Sequence, residues 1–175
     1  MADPASAQGV ITGFHGKLPT AGDFVTRGLP TGLAAFWDGW AARHLARRTG
    51  WPYGGLRLRL VSGGRVAAGV AVPGTDRVGR RFPLAAFVIA PKLPAPEGLT
   101  DWCDAAGALL VTAGQGAMTP DDLLDQLEAL PPPTGDGQGA TMQLWQAGGP
   151  PMDCDPADCE PVLKSLFSCS ESSNP

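Results

Sequence analysis

Residues that could do chemistry concentrate in two short segments of this chain. The first charged segment reads GFHGKLPTAGDFV over residues 13–25, and the second reads DRVGRRFPL over residues 76–84. Each mixes glycine, proline, phenylalanine and fixed charges, without the period of a helix or the alternation of a strand. Because these loops place apolar residues beside charged ones, we expect them to be packed against the protein as well as charged.

His15 is the residue of the first segment that would suit a general base. Such a base needs a nucleophile or a carboxylate partner within hydrogen-bonding reach. Asp23 is the candidate that would orient the imidazole, whereas Thr20 and Thr26 would be unusual nucleophiles. The partners that enzymatic use of His15 requires are not evident, so the sequence predicts no catalytic residue.

Basic side chains in and beside the two segments are the candidates for binding. If the segments are neighbours in space, these bases form a cluster flanked by Asp23 and Asp76. The planar fork of arginine suits oxyanions, so the cluster can grip a phosphate or an acidic segment of a partner. Alternatively the two acids pair with the bases and fix the turns, which is the interpretation we favour for them. The partner-binding candidates are Lys17, Arg27, Arg77, Arg80 and Arg81, and the residues expected to structure the loops are Gly16, Pro19, Gly22, Asp23, Asp76, Gly79 and Pro83.

Two of the four cysteines, Cys154 and Cys159, have a C-x₄-C spacing. A structural zinc site needs four nitrogen or sulfur ligands, and this pair has no second cysteine pair and no nearby histidine. We therefore predict reduced thiols in a loop, with neither metal nor cofactor. A reactive thiol stays open, because the spacing alone does not show a lowered pKa.

Composition narrows the class of protein. The 175 residues fit one domain, and an apolar fraction of 43% excludes general disorder. A net charge of −4 argues against non-specific nucleic-acid binding, which needs a basic surface. The longest apolar runs, residues 66–72 and 84–90, are far below the roughly 20 residues that span a bilayer. With no signal-like N-terminal segment, we expect a cytoplasmic protein without membrane insertion.

The elements that must position the two segments follow from the hydrophobic pattern. Residues 56–60 read LRLRL, which predicts a strand with one wet face, and Gly63-Gly64 predicts a hairpin after it. The apolar runs 66–72 and 84–90 predict strands buried on both faces. Strands of this kind must be packed against other secondary-structure elements on both faces. We therefore predict an α/β three-layer sandwich, with a mixed, largely antiparallel sheet of about five strands and helices on both faces.

Helix starts are marked by threonines. Thr31, Thr100 and Thr119 are each predicted to cap a helix. The helix after Thr31 has its aromatic residues on one face, at the spacing of a buried stripe. We predict a single domain over residues 10–167, with a flexible N-terminus at 1–9 and a flexible tail at 168–175.

Taken in order, the motifs resemble the TagF family, also called ImpM, of type VI secretion system-associated proteins. The resemblance extends over about residues 10–167, and position 15 is often tyrosine in the family. The matching motifs are GFHGKLP at 13–19, GDFV at 22–25, DRVGR at 76–80 and FPL at 82–84, with the helix carrying Phe36, Trp37 and Trp40 between them.

This resemblance implies a non-enzymatic, cytoplasmic, post-translational repressor of type VI secretion system assembly or activity. Its implied partner is the forkhead-associated (Fha) scaffold protein of that system, alongside a threonine phosphorylation pathway. The alternative that the residues leave open is a small α/β phosphate-ligand-binding protein or enzyme that uses Lys17, Arg77 and Arg80.

Overall fold

A single sheet of seven strands organises the computed structural model, which describes residues 9–168. Every neighbouring pair of strands is antiparallel, in the order β2-β1-β5-β4-β3-β6-β7, so the prediction of a mixed sheet is wrong. The predicted flexible ends fall almost wholly outside the described residues. The strands are β1 (Ile11–Lys17), β2 (Phe24–Arg27), β3 (Leu56–Ser62), β4 (Arg65–Val72), β5 (Leu84–Ala90), β6 (Met142–Trp145) and β7 (Met152–Cys154).

The prediction of about five strands is wrong because the two edge strands are short. Strand β2 has four residues and lies partly within the first charged segment, where it pairs with β1 from Lys17–Phe24 to Phe14–Arg27. Strand β7 has three residues and pairs with β6. Segments of three or four residues are too short to show a recognisable alternation.

Among the described residues, four α-helices accompany the sheet. Thr119 caps α3 as predicted: its hydroxyl accepts from the Asp122 N–H at 3.2 Å and the Asp122 carboxylate accepts from the Thr119 N–H at 3.3 Å. Thr31 and Thr100 are instead the first residues of their helices, so their predicted capping is wrong. Within residues 9–168 no helix is both long and apolar enough to cross a membrane. The helices are α1 (Thr31–His44), α2 (Thr100–Gly114), α3 (Pro120–Glu128) and α4 (Glu160–Ser168), with a 3₁₀ turn at Pro96–Leu99.

Alternate residues of the sheet enter two separate hydrophobic clusters. Val70 of β4 belongs to the cluster that includes residues of α2 and α3. Its neighbour Ala71 belongs to the cluster that includes residues of α1 and α4. Strands β4 and β5 are therefore buried on both faces, as their continuous apolar runs predict.

Strand β3 lacks the wet face that its alternation predicts. Arg57 and Arg59 are only 3% and 1% exposed. Arg57 Nη2 donates to Asp104 Oδ1 of α2 at 2.5 Å. Arg59 donates to backbone carbonyl groups of two connecting segments, including those of Pro94 and Gly137. Both arginines are covered because residues distant in the sequence supply acceptors above this face.

Candidate functional site

The two charged segments meet at Asp76, whose side chain is buried. Its Oδ2 lies 3.3 Å from Lys17 Nζ and accepts from Arg80 Nε at 2.7 Å. Its Oδ1 accepts from the backbone N–H groups of Val78 at 3.0 Å and Arg80 at 2.9 Å. One carboxylate therefore fixes the turn of the second segment and ties it to the lysine of the first. We call this arrangement the Asp76 junction.

Asp76 is ionised at neutral pH. Burial disfavours the charged carboxylate, but hydrogen bonds outweigh that effect and lower the pKa of Asp76 from 3.8 to about 2. The donors are the backbone and side chain of Arg80, the N–H of Val78 and the ammonium of Lys17. Two cations share this single carboxylate, so the junction carries a net positive charge.

Arginine side chains of the second segment also bind the backbone of the first. Arg77 Nη2 donates to the carbonyl oxygen of Thr20 at 3.0 Å, and Arg80 Nη2 donates to that of Gly22 at 3.0 Å. The Arg77 N–H donates to the carbonyl oxygen of Ala21 at 3.3 Å. The contact between the segments therefore uses main-chain acceptors as well as charge pairing.

Three of the residues expected to structure the loops have a clear geometric reason. A Cβ on Gly16 would lie 2.3 Å from the carbonyl oxygen of Pro83, so only glycine allows this approach. Gly79 has a φ of +84°, in the left-handed region that glycine favours. Pro19 follows Leu18, whose carbonyl oxygen accepts from the Ala21 N–H at 3.0 Å, so proline takes the second position of a turn.

Asp23 and Gly22 differ from the other loop residues. The Asp23 carboxylate accepts from the adjacent Phe24 N–H at 2.8 Å, and within residues 9–168 it makes no ion pair. A Cβ on Gly22 would meet nothing within 4 Å. The favoured interpretation, in which acids pair with the bases, therefore describes Asp76 and not Asp23.

The five partner-binding candidates are not equally accessible. Lys17 is only 7% exposed, against Asp76. Arg80 is bound at the junction but keeps 60% of its side chain exposed. Arg27 pairs with the exposed Asp121 at 3.2 Å. The candidates that reach the surface are Arg27, Arg77, Arg80 and Arg81.

Arg81 is the candidate with the most freedom. It is exposed, and its side chain makes no hydrogen bond or ion pair with any part of the chain that the structure describes. Val78 is 74% exposed on the same turn, next to the exposed Arg77. The outer side of the second segment thus presents arginines and an apolar residue on a turn that the Asp76 junction holds.

A cavity of about 250 Å³ lies beside Arg81. Trp51 and Arg48 also line it, together with Phe82 and Pro83 of the second segment. An aromatic residue beside arginine is a common anchor at protein interfaces. Trp51 is half-buried beside this cavity, whereas Trp145 of β6 is buried.

His15 has a carboxylate partner, but it is Asp38 of α1 and not the predicted Asp23. The imidazole Nε2 lies 3.0 Å from Asp38 Oδ1, and Nδ1 lies 2.6 Å from Thr26 Oγ1. The ring is 6% exposed and stacks on Phe24 with 5.8 Å between ring centroids. His15 therefore links β1, β2 and α1. Sequence reasoning missed Asp38 because it lies outside the apolar face of its helix.

A larger cavity, of about 650 Å³, lies between α2 and the turn that precedes β3. The pair formed by buried Arg57 and exposed Asp104 lines it, together with Tyr53, which is 91% exposed, and Val111, which is 50% exposed. These residues come from separate parts of the chain and form no local motif. Sequence reasoning therefore gave no sign of this cavity.

A match to a known protein family covers both charged segments. A family model described as "TagF N-terminal domain, Type VI secretion system-associated" matches residues 13–50 and 56–130. The chain belongs to the TagF family. The matched residues carry the whole Asp76 junction, and membership makes this TagF protein type VI secretion system-associated. No curated protein matches the sequence.

The fold of this TagF-family chain is also found among solved structures. The chain is similar to the crystal structure of PA0076 from Pseudomonas aeruginosa PAO1, with a TM-score of 0.61 and 24% sequence identity. The similarity covers 91% of this chain and 78% of that chain. At this level of identity the likeness shows a shared fold.

Proposed function

We propose that this chain is a non-enzymatic cytoplasmic regulator that represses type VI secretion system assembly or activity after translation. Its match to the TagF N-terminal domain carries the proposal. The proposed partner is the forkhead-associated scaffold protein of the system, acting alongside a threonine phosphorylation pathway. The proposed contact surface is the outer side of the second charged segment, formed by Arg77, Val78 and Arg81.

The geometry of the second segment supports this surface. The Asp76 junction fixes the turn, so binding costs little ordering of the backbone. The arginines it presents have planar forks that suit carboxylate or phosphate groups of a partner. Val78 adds exposed apolar area between the charges. Together these properties suit recognition of an acidic or phosphorylated segment.

No observation favours the phosphate-ligand or enzyme alternative. Lys17 and Arg80 both contact the Asp76 carboxylate, and Lys17 is buried there. Arg77 is exposed and donates to a carbonyl oxygen of the first segment. All three bases of the alternative thus make contacts within the chain, and the burial of Lys17 keeps them from forming one open site for a ligand.

Charge reversal at Arg81 tests the proposed surface. Arg81→Glu should weaken capture of the forkhead-associated protein at least about tenfold, equivalent to about 1.4 kcal/mol. The matched control is Lys92→Glu, because Lys92 is also exposed and follows the other end of β5. Capture by Arg81→Glu equal to that by wild type, with an unchanged melting temperature, would show that this surface is wrong.

Secretion in the source cell tests the repressor role itself. Secretion by the type VI apparatus should rise when the chain is deleted and fall again when wild type is restored. Restoration with Arg81→Glu should leave secretion high, whereas Lys92→Glu should restore repression. Unchanged secretion after deletion would contradict repression, independently of which surface binds the partner.

A further inference from the structure

Three sulfur atoms come together where the last strand meets the last helix. Cys154 ends β7 and Cys159 immediately precedes α4, and their Sγ atoms lie 3.3 Å apart. Cys159 Sγ also lies 3.8 Å from Met142 Sδ of β6. Cys159 is fully buried, Cys154 is partly exposed, and both are free thiols. Nothing in the proposed function uses this pair.

The backbone already brings the two cysteines face to face. Asp155 and Asp158 form an antiparallel bridge, and the Asp158 N–H donates to the Asp155 carbonyl oxygen at 2.8 Å. Cys154 and Cys159 stand directly outside this bridge. Opposed residues in an antiparallel pair have Cα atoms about 4.5–5.5 Å apart. A ladder continued by one residue would place the two cysteines within the range of about 4.4–6.8 Å that a disulfide requires, and their Sγ separation of 3.3 Å agrees with this.

We propose that Cys154 and Cys159 are a modification site that closes to a reversible disulfide when a low-molecular-weight disulfide supplies the oxidant. The Cys154 sulfur attacks one sulfur of the reagent R–S–S–R, and the first R–S⁻ leaves with the electron pair and takes up the Cys154 proton. Cys159 then attacks the Cys154 sulfur and displaces the second R–S⁻, which takes up the Cys159 proton. Two thiols are oxidised while one reagent disulfide is reduced to two thiols.

The reaction starts at Cys154 because its side chain is the accessible one. Burial raises the pKa of the Cys154 thiol from 9.0 to about 12, with a further contribution from its hydrogen bond to Cys159. Thiolate is the attacking species, so closure is slow at neutral pH and accelerates by about tenfold per pH unit. Once Cys154 carries the reagent, Cys159 lies within contact distance to complete the disulfide.

Closure would fasten the start of α4 to the edge strand β7. The four enclosed residues include Pro156, whose carbonyl oxygen accepts from Trp40 Nε1 of α1 at 3.1 Å. The bond would thus act on a turn that already contacts the core. Both cysteines lie beyond residue 130, outside the part of the chain that the family model matches. The site is therefore a feature of this chain in addition to the family's segments.

Thiol counting tests the proposal on the full chain. The reduced protein is incubated with excess oxidised glutathione at pH 8.5, quenched with acid, denatured and titrated for free thiols. The count should fall from four to two, and the mass should drop by two hydrogen atoms without a glutathione adduct. Cleavage before Asp155 and Asp158 should leave the Cys154 and Cys159 peptides joined until a reductant separates them.

Variants in which one cysteine is replaced distinguish this pair from the other thiols. Cys159→Ser should stop at a mixed disulfide of Cys154 with glutathione, whereas Cys154→Ser should keep Cys159 reduced. Cys103→Ser is the matched control, because Cys103 is buried away from the pair, and it should still lose two thiols. Four thiols retained by the folded wild type, or a linkage through Cys103 or Cys169, would overturn the proposal.

Discussion

Asp76 and Arg59 are both buried ions, and the structure compensates their charges in opposite ways. Asp76 faces two cations and two backbone N–H groups. Arg59 meets no carboxylate among residues 9–168 and instead donates to the carbonyl oxygens of Leu93, Pro94 and Gly137. The first ion is held by opposite charge and the second by peptide dipoles.

Asp76 therefore forms a charged junction, whereas Arg59 holds three backbone carbonyl groups together. We call this second arrangement, formed by Arg59 with Leu93, Pro94 and Gly137, the Arg59 clamp. Of the two cations around Asp76, Lys17 ends β1 and Arg80 lies on a loop, where it keeps part of its side chain at the surface. The acceptors around Arg59 belong to two long connecting segments, which this guanidinium ties to β3. Burial lowers the pKa of Arg59 from 12.5, yet a guanidinium stays protonated in proteins. Of these two sites, the Asp76 junction is the one that joins a buried charge to an exposed one.

Asp76→Asn should have the largest effect on stability. The substitution keeps the shape of the side chain but leaves Lys17 buried without its counter-charge. The free energy of unfolding, measured with urea, should fall by more than in any variant described below. Asp23→Asn is the control, because Asp23 is exposed and makes one local hydrogen bond. Equal losses in the two variants would mean that the junction does not depend on charge.

Arg59→Met should have the next largest effect on stability. It removes the donors of three carbonyl groups while keeping an unbranched apolar side chain. We expect a loss of roughly 2–4 kcal/mol in the free energy of unfolding, at about 1 kcal/mol for each lost hydrogen bond. Arg47→Met, at an exposed arginine, serves as control. A loss below about 1 kcal/mol would show that water replaces the guanidinium.

Acid should weaken the Asp76 junction and leave the Arg59 clamp intact. The pKa of Asp76 is about 2 in the folded protein, below the ordinary 3.8, so the unfolded chain binds the proton more readily. The stabilisation is complete above pH 3.8 and is lost as the pH falls through 2. Urea unfolding at intervals from pH 5 to pH 2 should show this loss in wild type and in Arg59→Met. The Asp76→Asn variant should show a shallower dependence over the same interval.

Arg80→Gln should have the smallest effect. Although Asp76 is buried, 60% of the Arg80 side chain is exposed, so solvent screens this pair and we expect a loss of about 1 kcal/mol. Lys17 still faces the carboxylate in this variant, so the junction keeps a counter-charge. A loss as large as that of Asp76→Asn, seen in the same urea experiment, would make Arg80 the principal partner of the acid.

Local signals in the sequence predicted several local features of this fold, although Thr31 and Thr100 do not cap their helices as expected. Gly63 and Gly64 have φ values of 59° and 74°, and they form the expected turn between β3 and β4. Thr119 and Asp122 form a capping box at α3. The glycines and Asp76 marked the two segments that come together. Each of these features depends on residues within a few positions of each other, so a short pattern contains the physical cause.

Features that depend on distant residues were missed. Alternation in LRLRL shows that β3 has two faces, but not that Pro94 and Gly137 cover the second one. His15 meets Asp38 across 23 positions, and the nearer Asp23 was the wrong choice. The same limit applies to the exposure of the basic candidates. Lys17 looks like a free surface base until the fold brings Asp76 against it.

The two short edge strands affect how another chain can be recognised. Strand β2 offers four residues and β7 offers three, so the outer borders of the sheet present few unpaired main-chain groups. An extended peptide that binds by β-augmentation needs a longer row of such groups. We therefore expect recognition by side chains on loops, in a mode that protects the sheet from open-ended, edge-to-edge association.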